Sequence, residues 1–375
     1  MTTTLLAAAV LVGIALCVLA TWAHLRYWTA HLAIELPYAH TEEIVTPDGT
    51  AVVLRRVPLP PGAAPSAAPP VLLVHGLGAN HRNQDLAADR SLARHLAATG
   101  RDVWLLTLRS GRAPRSFAER RRVRFEAMVD HDLPVAVRGV LERTGAEALD
   151  YVGFSMGGML LYAAIGRTVP EASIRRAILV GSPGEVRVAW PLRVLLRFVP
   201  RVLVPTFHFR VLARLFAFAS EWVATPLHGV SANPRNLSPG TTRSAMVNLV
   251  EDVPGPLNAD FAAFALAGGA IRAGGAPAIA GLARVAVPAL FVAGTADKLA
   301  PERAVRVAFD AWAADRPATP KRFVVVGRAH GHRHDYGHGD MAIGTHVVDE
   351  VFPTIAEFLA APPVAPPAVG DGPPV

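Results

Sequence analysis

Ala148 to Ile165 reads ALDYVGFSMGGMLLYAAI: a short apolar strand, the turn Gly153-Phe154-Ser155-Met156-Gly157, and then an apolar helix. A serine on so sharp a strand-to-helix turn sits in strained backbone and tolerates only small neighbours, so glycines stand two residues away on each side. The turn lifts Oγ off the sheet edge and leaves the first amides of the helix, Met156 foremost, free to donate to an oxyanion. Ser155 is therefore the candidate nucleophile. Glycine and serine are common in turns of every fold, and it is the flanking strand and helix that give the motif its weight.

A nucleophilic serine needs a base and a group to orient it. Downstream, Pro288 to Ala293 (PALFVA) has the pattern of a buried strand and empties into Gly294-Thr295-Ala296-Asp297, with a helix start near Pro301 and Glu302. Asp297 thus falls at the carboxyl end of a strand, where it is the candidate carboxylate; the competing reading is a turn or helix-capping aspartate. Arg322 to Val326 (RFVVV) is the last strand, and the stretch that follows, Gly327 to Asp340, reads GRAHGHRHDYGHGD. It offers His330, His332, His334 and His338, among which spacing alone does not choose. Upstream, Val71 to Asn80 (VLLVHGLGAN) is an apolar strand that ends in a His-Gly turn.

These four motifs, in the order His-Gly turn, serine turn, acid, histidine, resemble the α/β-hydrolase fold superfamily, and within it the lipase and esterase branch. The resemblance covers about Glu42 to Leu359 and implies a mostly parallel central sheet flanked by helices. Asp335 to Gly344 (DYGHGDMAIG) is similar to the histidine motif of acid lipases and polyhydroxyalkanoate synthases, which places the base at His338, with His330 as runner-up. The resemblance also assigns the second oxyanion amide to Leu77, beside that of Met156, and leaves His75 a structural histidine under the loop. The synthases use a cysteine nucleophile. The single cysteine here, Cys17, lies in an N-terminal apolar run far from any such turn, so a synthase is not expected.

The chain has 375 residues, enough for one α/β domain with a large insertion. Lysine plus arginine number 37 against 30 acids, a net +7, with nearly all the basic residues arginine. No helix-turn-helix, zinc-ligand or aromatic RNA-binding signature accompanies that charge, so nucleic acid is not an expected partner, and an interaction with anionic lipid or a crowded arginine surface is the more economical account. One cysteine means no intramolecular disulfide. No cofactor and no metal are called for.

Leu5 to Trp22 carries no charge and is about long enough to cross a bilayer. Met1 to Thr4 lacks the basic start of a signal peptide, which favours a retained anchor over residues 1–30, although Val18-Leu19-Ala20 has the form of a cleavage site. Arg26, the only nearby cation, does not fix its orientation. The organisation expected from there is a hydrolase core over 42–183, a cap insertion over 184–284, the rest of the core over 285–360, and a disordered Pro-rich tail over 361–375. A hairpin turns at Pro-Asp-Gly within Glu43 to Val57, and helices are expected at Ser91–Thr99, Asp130–Arg143, Met156–Thr168, Pro301–Ala314 and Val347–Leu359. The arginine-rich Arg109 to Arg124 reads as a solvated loop, with attraction to a substrate carboxylate or phosphate as the competing reading.

In the insertion, Val186 to Ser220 holds six arginines, no acid and many Leu, Val and Phe. Arg193, Arg197 and Arg201 recur every four residues and would share one helix face, although Pro200 limits that helix. That segment either lies on a membrane surface or packs its apolar side on the core. The function expected is a membrane-anchored serine hydrolase cleaving esters of apolar acyl groups, its substrate a small-molecule or lipid ester. Three readings compete with it: an acyltransferase using the same triad, a metal-dependent protein built on the His330 to Asp340 cluster, and a non-catalytic binding module of the same fold.

Overall fold

The computed structural model describes residues 2–114, 116–223 and 228–362. Its centre is an eight-stranded sheet. In chain order the strands are β1 (His40–Val45), β2 (Ala51–Arg56), β3 (Val71–Val74), β4 (Val103–Thr107), β5 (Leu149–Phe154), β6 (Ile174–Val180), β7 (Ala289–Gly294) and β8 (Lys321–Val326). Their spatial order is β1-β2-β4-β3-β5-β6-β7-β8, with β1 and β2 antiparallel and β3 to β8 all parallel. The β1–β2 hairpin closes at Pro47-Asp48-Gly49, where Gly49 takes φ +76° and donates to the Thr46 carbonyl, as the Pro-Asp-Gly signal predicts.

The inner strands β3, β4, β5 and β7 are buried at every position, the mark of parallel strands covered on both faces. Alternate residues feed two apolar layers. Leu72, Val74, Tyr151 and Phe291 pack with the helices Leu133–Thr144, Met156–Ala164 and Glu302–Ala311, while Leu73, Phe154, Leu290 and Val292 pack with Leu92–Ala98 and Phe352–Ala360. Because every parallel strand points the same way, the loops at the carboxyl ends of β3, β5, β6, β7 and β8 gather along one edge. That edge is where ligands bind in open α/β sheets.

Several helices differ from expectation. The helix after β5 stops at Ala164 and not Thr168, because Gly166 adopts φ +70° and Ile165 bridges to Val169. The stretch expected as one helix from Asp130 begins as a π-helical turn, Met128–Asp132, before Leu133–Thr144. Val347 to Leu359 is two helices, Val347–Glu350 and Phe352–Ala360, with Pro353 in the first turn of the second.

Arg109 to Arg124 is not simply a solvated loop. The Arg109 side chain is fully buried, donating to Asp132 (2.8 Å), Asp48 (2.6 Å) and the Arg122 carbonyl (3.1 Å), and Phe117–Arg121 is a short helix. Removing one member would strand a charge in the interior, so this network is held together by the cost of breaking it. At the other end of the chain, the carbonyls of Ala361 and Pro362 accept from Arg176, so the expected disordered tail is held at its first two residues. Its remaining positions, 363–375, lie outside the described residues.

The N-terminal helix runs Thr2–Leu32, ten residues past the charge-free run, and is long and apolar enough to cross a membrane. Its apolar part is exposed, whereas its last turns pack on the chain between β6 and β7. His24 Nε2 is 3.0 Å from the Leu215 carbonyl, and the rings of Trp28 and Phe218 stack at 5.9 Å. Between β6 and β7 the principal helices are Trp190–Phe198, Phe209–Phe216, Thr241–Asn248 and Gly255–Leu266. Arg193 and Arg197 lie on the first of these, but Pro200 ends it, and Arg201 opens a separate 3-10 turn. Apolar and basic residues of this segment are exposed together: Trp190 is 70% exposed and Phe198 77%. Val186 packs on the core and Ala213 and Ala217 are buried, so its apolar side is partly covered and partly exposed.

Candidate active site

At the end of β5 the chain turns into the helix Met156–Ala164 through Ser155, whose φ of +53° is unusual for a residue with a side chain. Hydrogen bonds hold it there. The Ser155 amide donates to the Val180 carbonyl (2.8 Å), and its own carbonyl accepts from Gly158 (3.0 Å) and Met159 (3.3 Å). The two motif glycines are required by close approach. A Cβ on Gly153 would lie 2.5 Å from the Gly158 nitrogen, and one on Gly157 would overlap the Val74 carbonyl. The sequence therefore folds this way because only glycine lets the helix start pass so near β3 and β5.

Asp297 lies three residues beyond β7 and is buried. Its Oδ1 accepts from the amides of Leu299 (2.8 Å) and Ala300 (2.7 Å), which fixes the carboxylate, and its Oδ2 accepts from His338 Nδ1 at 2.7 Å. One oxygen thus makes the contacts of a turn-capping aspartate, and the other contacts an imidazole. The His338 ring is buried, 5.1 Å from the Phe154 ring between centroids. It also lies against Gly181, where a Cβ would be 3.2 Å from His338 Cε1. Gly181 follows Val180, the residue bonded to the Ser155 amide, and Phe154 precedes Ser155, so the His338–Asp297 pair lies against the loops that flank the serine turn at one edge of the sheet.

The other histidines do not converge on this point. His330 is exposed on a 3-10 turn, His332 Nδ1 contacts the Gly327 backbone, and His334 stacks on His346. Among the described residues no group of three His, Cys, Asp or Glu side chains is placed to hold a metal ion, and the reading of the histidine-rich stretch as a metal site has no geometry behind it. Sequence reasoning named Asp340 only within the histidine motif and the His330 to Asp340 cluster; the residue is fully buried. It accepts from the Asn233 amide (2.9 Å), the Asn236 side chain (3.0 Å) and the Gly337 amide (3.0 Å), and so fixes the turn that carries His338 to the β6–β7 insertion. Burial pushes its carboxyl up despite these donors.

The turn after β3 comes up beside the serine. Gly76 is so close that a Cβ there would lie 3.0 Å from Ser155 Cβ, and its amide donates to Asn83 Oδ1. Leu77 follows, and Met156 occupies the first helical position, where amides have no intrahelical acceptor. The amides of both residues thus belong to turns flanking Ser155. His75 is buried beneath: its Nε2 accepts from the Leu108 amide (3.1 Å) and its Nδ1 donates to the Gly76 carbonyl (2.8 Å). Burial pushes its pKa down to about 4, so it stays neutral. Missed in the sequence were Asn80 and Glu251. Asn80 Nδ2 donates to Glu251 Oε1 (2.9 Å), and the Glu251 amide donates to the Gly78 carbonyl (2.8 Å), tying this turn to the insertion.

The family profile described as alpha/beta hydrolase fold matches residues 69–332, a span that takes in the His-Gly turn, the serine turn and Asp297. The chain belongs to the α/β-hydrolase fold family. Its similar proteins within that family include mouse lipase member K, 33% identical over 149 residues (36% of each chain), and human gastric triacylglycerol lipase, 30% identical over 172 residues (43% of each chain). The match spans less than half the length of either relative. Among solved structures, a thermophilic esterase from Thermogutta terrifontis aligns over 86% of this chain and 98% of its own at a TM-score of 0.52 and 18% identity. A bacterial membrane phospholipase A aligns over 96% and 98% at a TM-score of 0.50 and 17% identity. These structures share the fold of the family, as the motif order in the sequence implied.

Proposed function

We propose that this chain is a membrane-anchored carboxylic-ester hydrolase acting on esters of apolar acyl groups, with Ser155 as nucleophile, His338 as general base and Asp297 as its orienting carboxylate. The observation that carries the reading is the buried 2.7 Å contact between Asp297 and His338 Nδ1, next to the strained turn that presents Ser155. With Nδ1 committed to Asp297, Nε2 is the nitrogen left to take the Ser155 hydroxyl proton as Oγ attacks the ester carbonyl. The amides of Leu77 and Met156 stabilise the developing oxyanion. Collapse expels the alcohol, which takes the proton from His338, and leaves an acyl-Ser155. Water, deprotonated by His338, then attacks that ester, releasing the acid and restoring the serine hydroxyl.

The membrane part of the proposal is supported by the exposed apolar helix at the N-terminus and by its last turns, which pack on the insertion instead of trailing as a loose leader. The insertion, taken as a cap, adds exposed Trp190, Phe198 and Trp222 to the arginines 193, 197 and 201. Aromatic rings suit the headgroup level, and each arginine near an anionic surface contributes about 1 kcal/mol.

A fluorophosphonate probe and p-nitrophenyl esters of graded chain length test the proposal on the full-length protein. Labelling and turnover that vanish in both Ser155→Ala and His338→Ala are the expected result. A folded wild type that is not labelled overturns it, and strong labelling that persists in His338→Ala overturns the base assignment.

A further inference from the structure

The exit of the N-terminal helix and the turn carrying Leu77 are joined through one residue, Asn248, by its side chain on one side and its backbone on the other. Its Nδ2 donates to the carbonyl of Leu32, the last residue of the helix (2.9 Å), and its Oδ1 accepts from the Ile34 amide (2.9 Å). The same residue's backbone carbonyl accepts from Asn80 Nδ2 (3.0 Å). From Asn248 onward the insertion runs along the turn: the Asn80 amide donates to Leu249, Ala79 bridges to Val250, and the Glu251 amide donates to Gly78. A second strut runs in parallel, because Arg82 Nη2 donates to the Ile34 carbonyl while the Arg82 amide donates to Asn80 Oδ1. Residues 32–34 and 78–80 are therefore held by the same few groups, although more than forty positions of chain separate them.

We propose that Asn248 is a positioning residue that couples the exit of the N-terminal helix to the turn bearing the Leu77 amide. The inference rests on the oxyanion role given to Leu77 above. An oxyanion donor works by being fixed before charge develops, and a displacement well under 1 Å is enough to weaken it. A helix that is only a tether would leave turnover of a water-soluble ester untouched when its contacts are cut. A helix that buttresses the turn would not.

The test uses the full-length protein in detergent with p-nitrophenyl butyrate. Asn248→Ala is expected to lower kcat about tenfold with KM changed less than twofold, and to slow fluorophosphonate labelling of Ser155 in proportion, since loss of a transition-state contact acts on kcat. Ile34→Pro removes the donated N–H from the other side with Asn248 intact and is expected to reproduce the loss. In the double variant the losses are expected not to add, because both changes break one link. Arg243→Ala, on the same helix as Asn248 but paired with Glu221, serves as the control and is expected to leave kcat unchanged. Unchanged kcat in folded Asn248→Ala or Ile34→Pro, a change confined to KM, or fully additive losses would overturn the proposal. If Ser155→Ala retains turnover, the hydrolase reading itself fails, an outcome separate from any of these.

Discussion

Two histidines lie buried at the carboxyl edge of this sheet, and their surroundings could hardly differ more. His75 has both ring nitrogens taken by backbone, one accepting from Leu108 and the other donating to Gly76. His338 has one nitrogen on the Asp297 carboxylate, with Phe154 and Gly181 against the ring. A proton arriving at His75 would have to sit on Nε2, facing the Leu108 N–H that already points there. His338 instead has a carboxylate oxygen 2.7 Å from Nδ1 and leaves Nε2 without a backbone partner among the described residues. Hydrogen bonds to backbone on both nitrogens fix one ring as a structural prop, whereas a carboxylate on one nitrogen orients the other ring and leaves its second nitrogen for other work.

The comparison breaks most sharply in turnover. His338→Ala is expected to cut kcat roughly a millionfold, as removal of a triad base does elsewhere, whereas His75→Gln, which can accept and donate at similar positions, is expected to retain turnover. Ester assays on the two purified variants decide it, and comparable activity in both would erase the distinction drawn here. Asp297→Asn sharpens it further. It leaves the ring in place but presents an amide to Nδ1, so the wrong tautomer is favoured and a loss of about ten-thousandfold in kcat is expected.

For His75 the prediction concerns stability. Its pKa is lowered from 6.5 to about 4 by burial. As pH falls through 6.5 the unfolded chain takes up a proton that the folded one refuses until about 4. Its contribution is thus fully present above pH 6.5 and lost across that window, costing about 3 kcal/mol, with no further loss below. Denaturation of wild type and His75→Gln between pH 7 and 4 measures it: the wild-type slope should be steeper, and parallel profiles would show that His75 is not the group responsible. The smallest effect is reserved for His330, the runner-up as base because it comes soonest after the last strand. His330→Ala, on an exposed turn, is expected to leave kcat unaltered and to move stability by no more than about 0.5 kcal/mol.

What could be read from the sequence was what is local. The serine turn, the strand ending before Asp297 and the Pro-Asp-Gly hairpin each carry their signal within a dozen residues, because glycine spacing and apolar runs are imposed by backbone geometry. The choice of His338 among four histidines came from resemblance and not from spacing, since a loop can fold any of them inward. Arg109 was misread for a related reason: its partners Asp48 and Asp132 lie 61 and 23 positions away, and nothing in an arginine-rich run distinguishes the one that goes inside. The π-helical turn that delivers Asp132 has no sequence signature comparable to a cap. Asn248 and Asn80 were invisible on the same grounds, for their meaning lies in which distant carbonyls they reach.

Ser155 is held at a backbone angle that glycine adopts freely and serine does not, at a cost on the order of 1–3 kcal/mol. Glycine at this one position would relieve the strain and abolish the nucleophile in a single step. Under the role proposed for it, Ser155→Gly would therefore melt higher than the wild type while losing turnover, so stability and the proposed chemistry pull in opposite directions at this one residue.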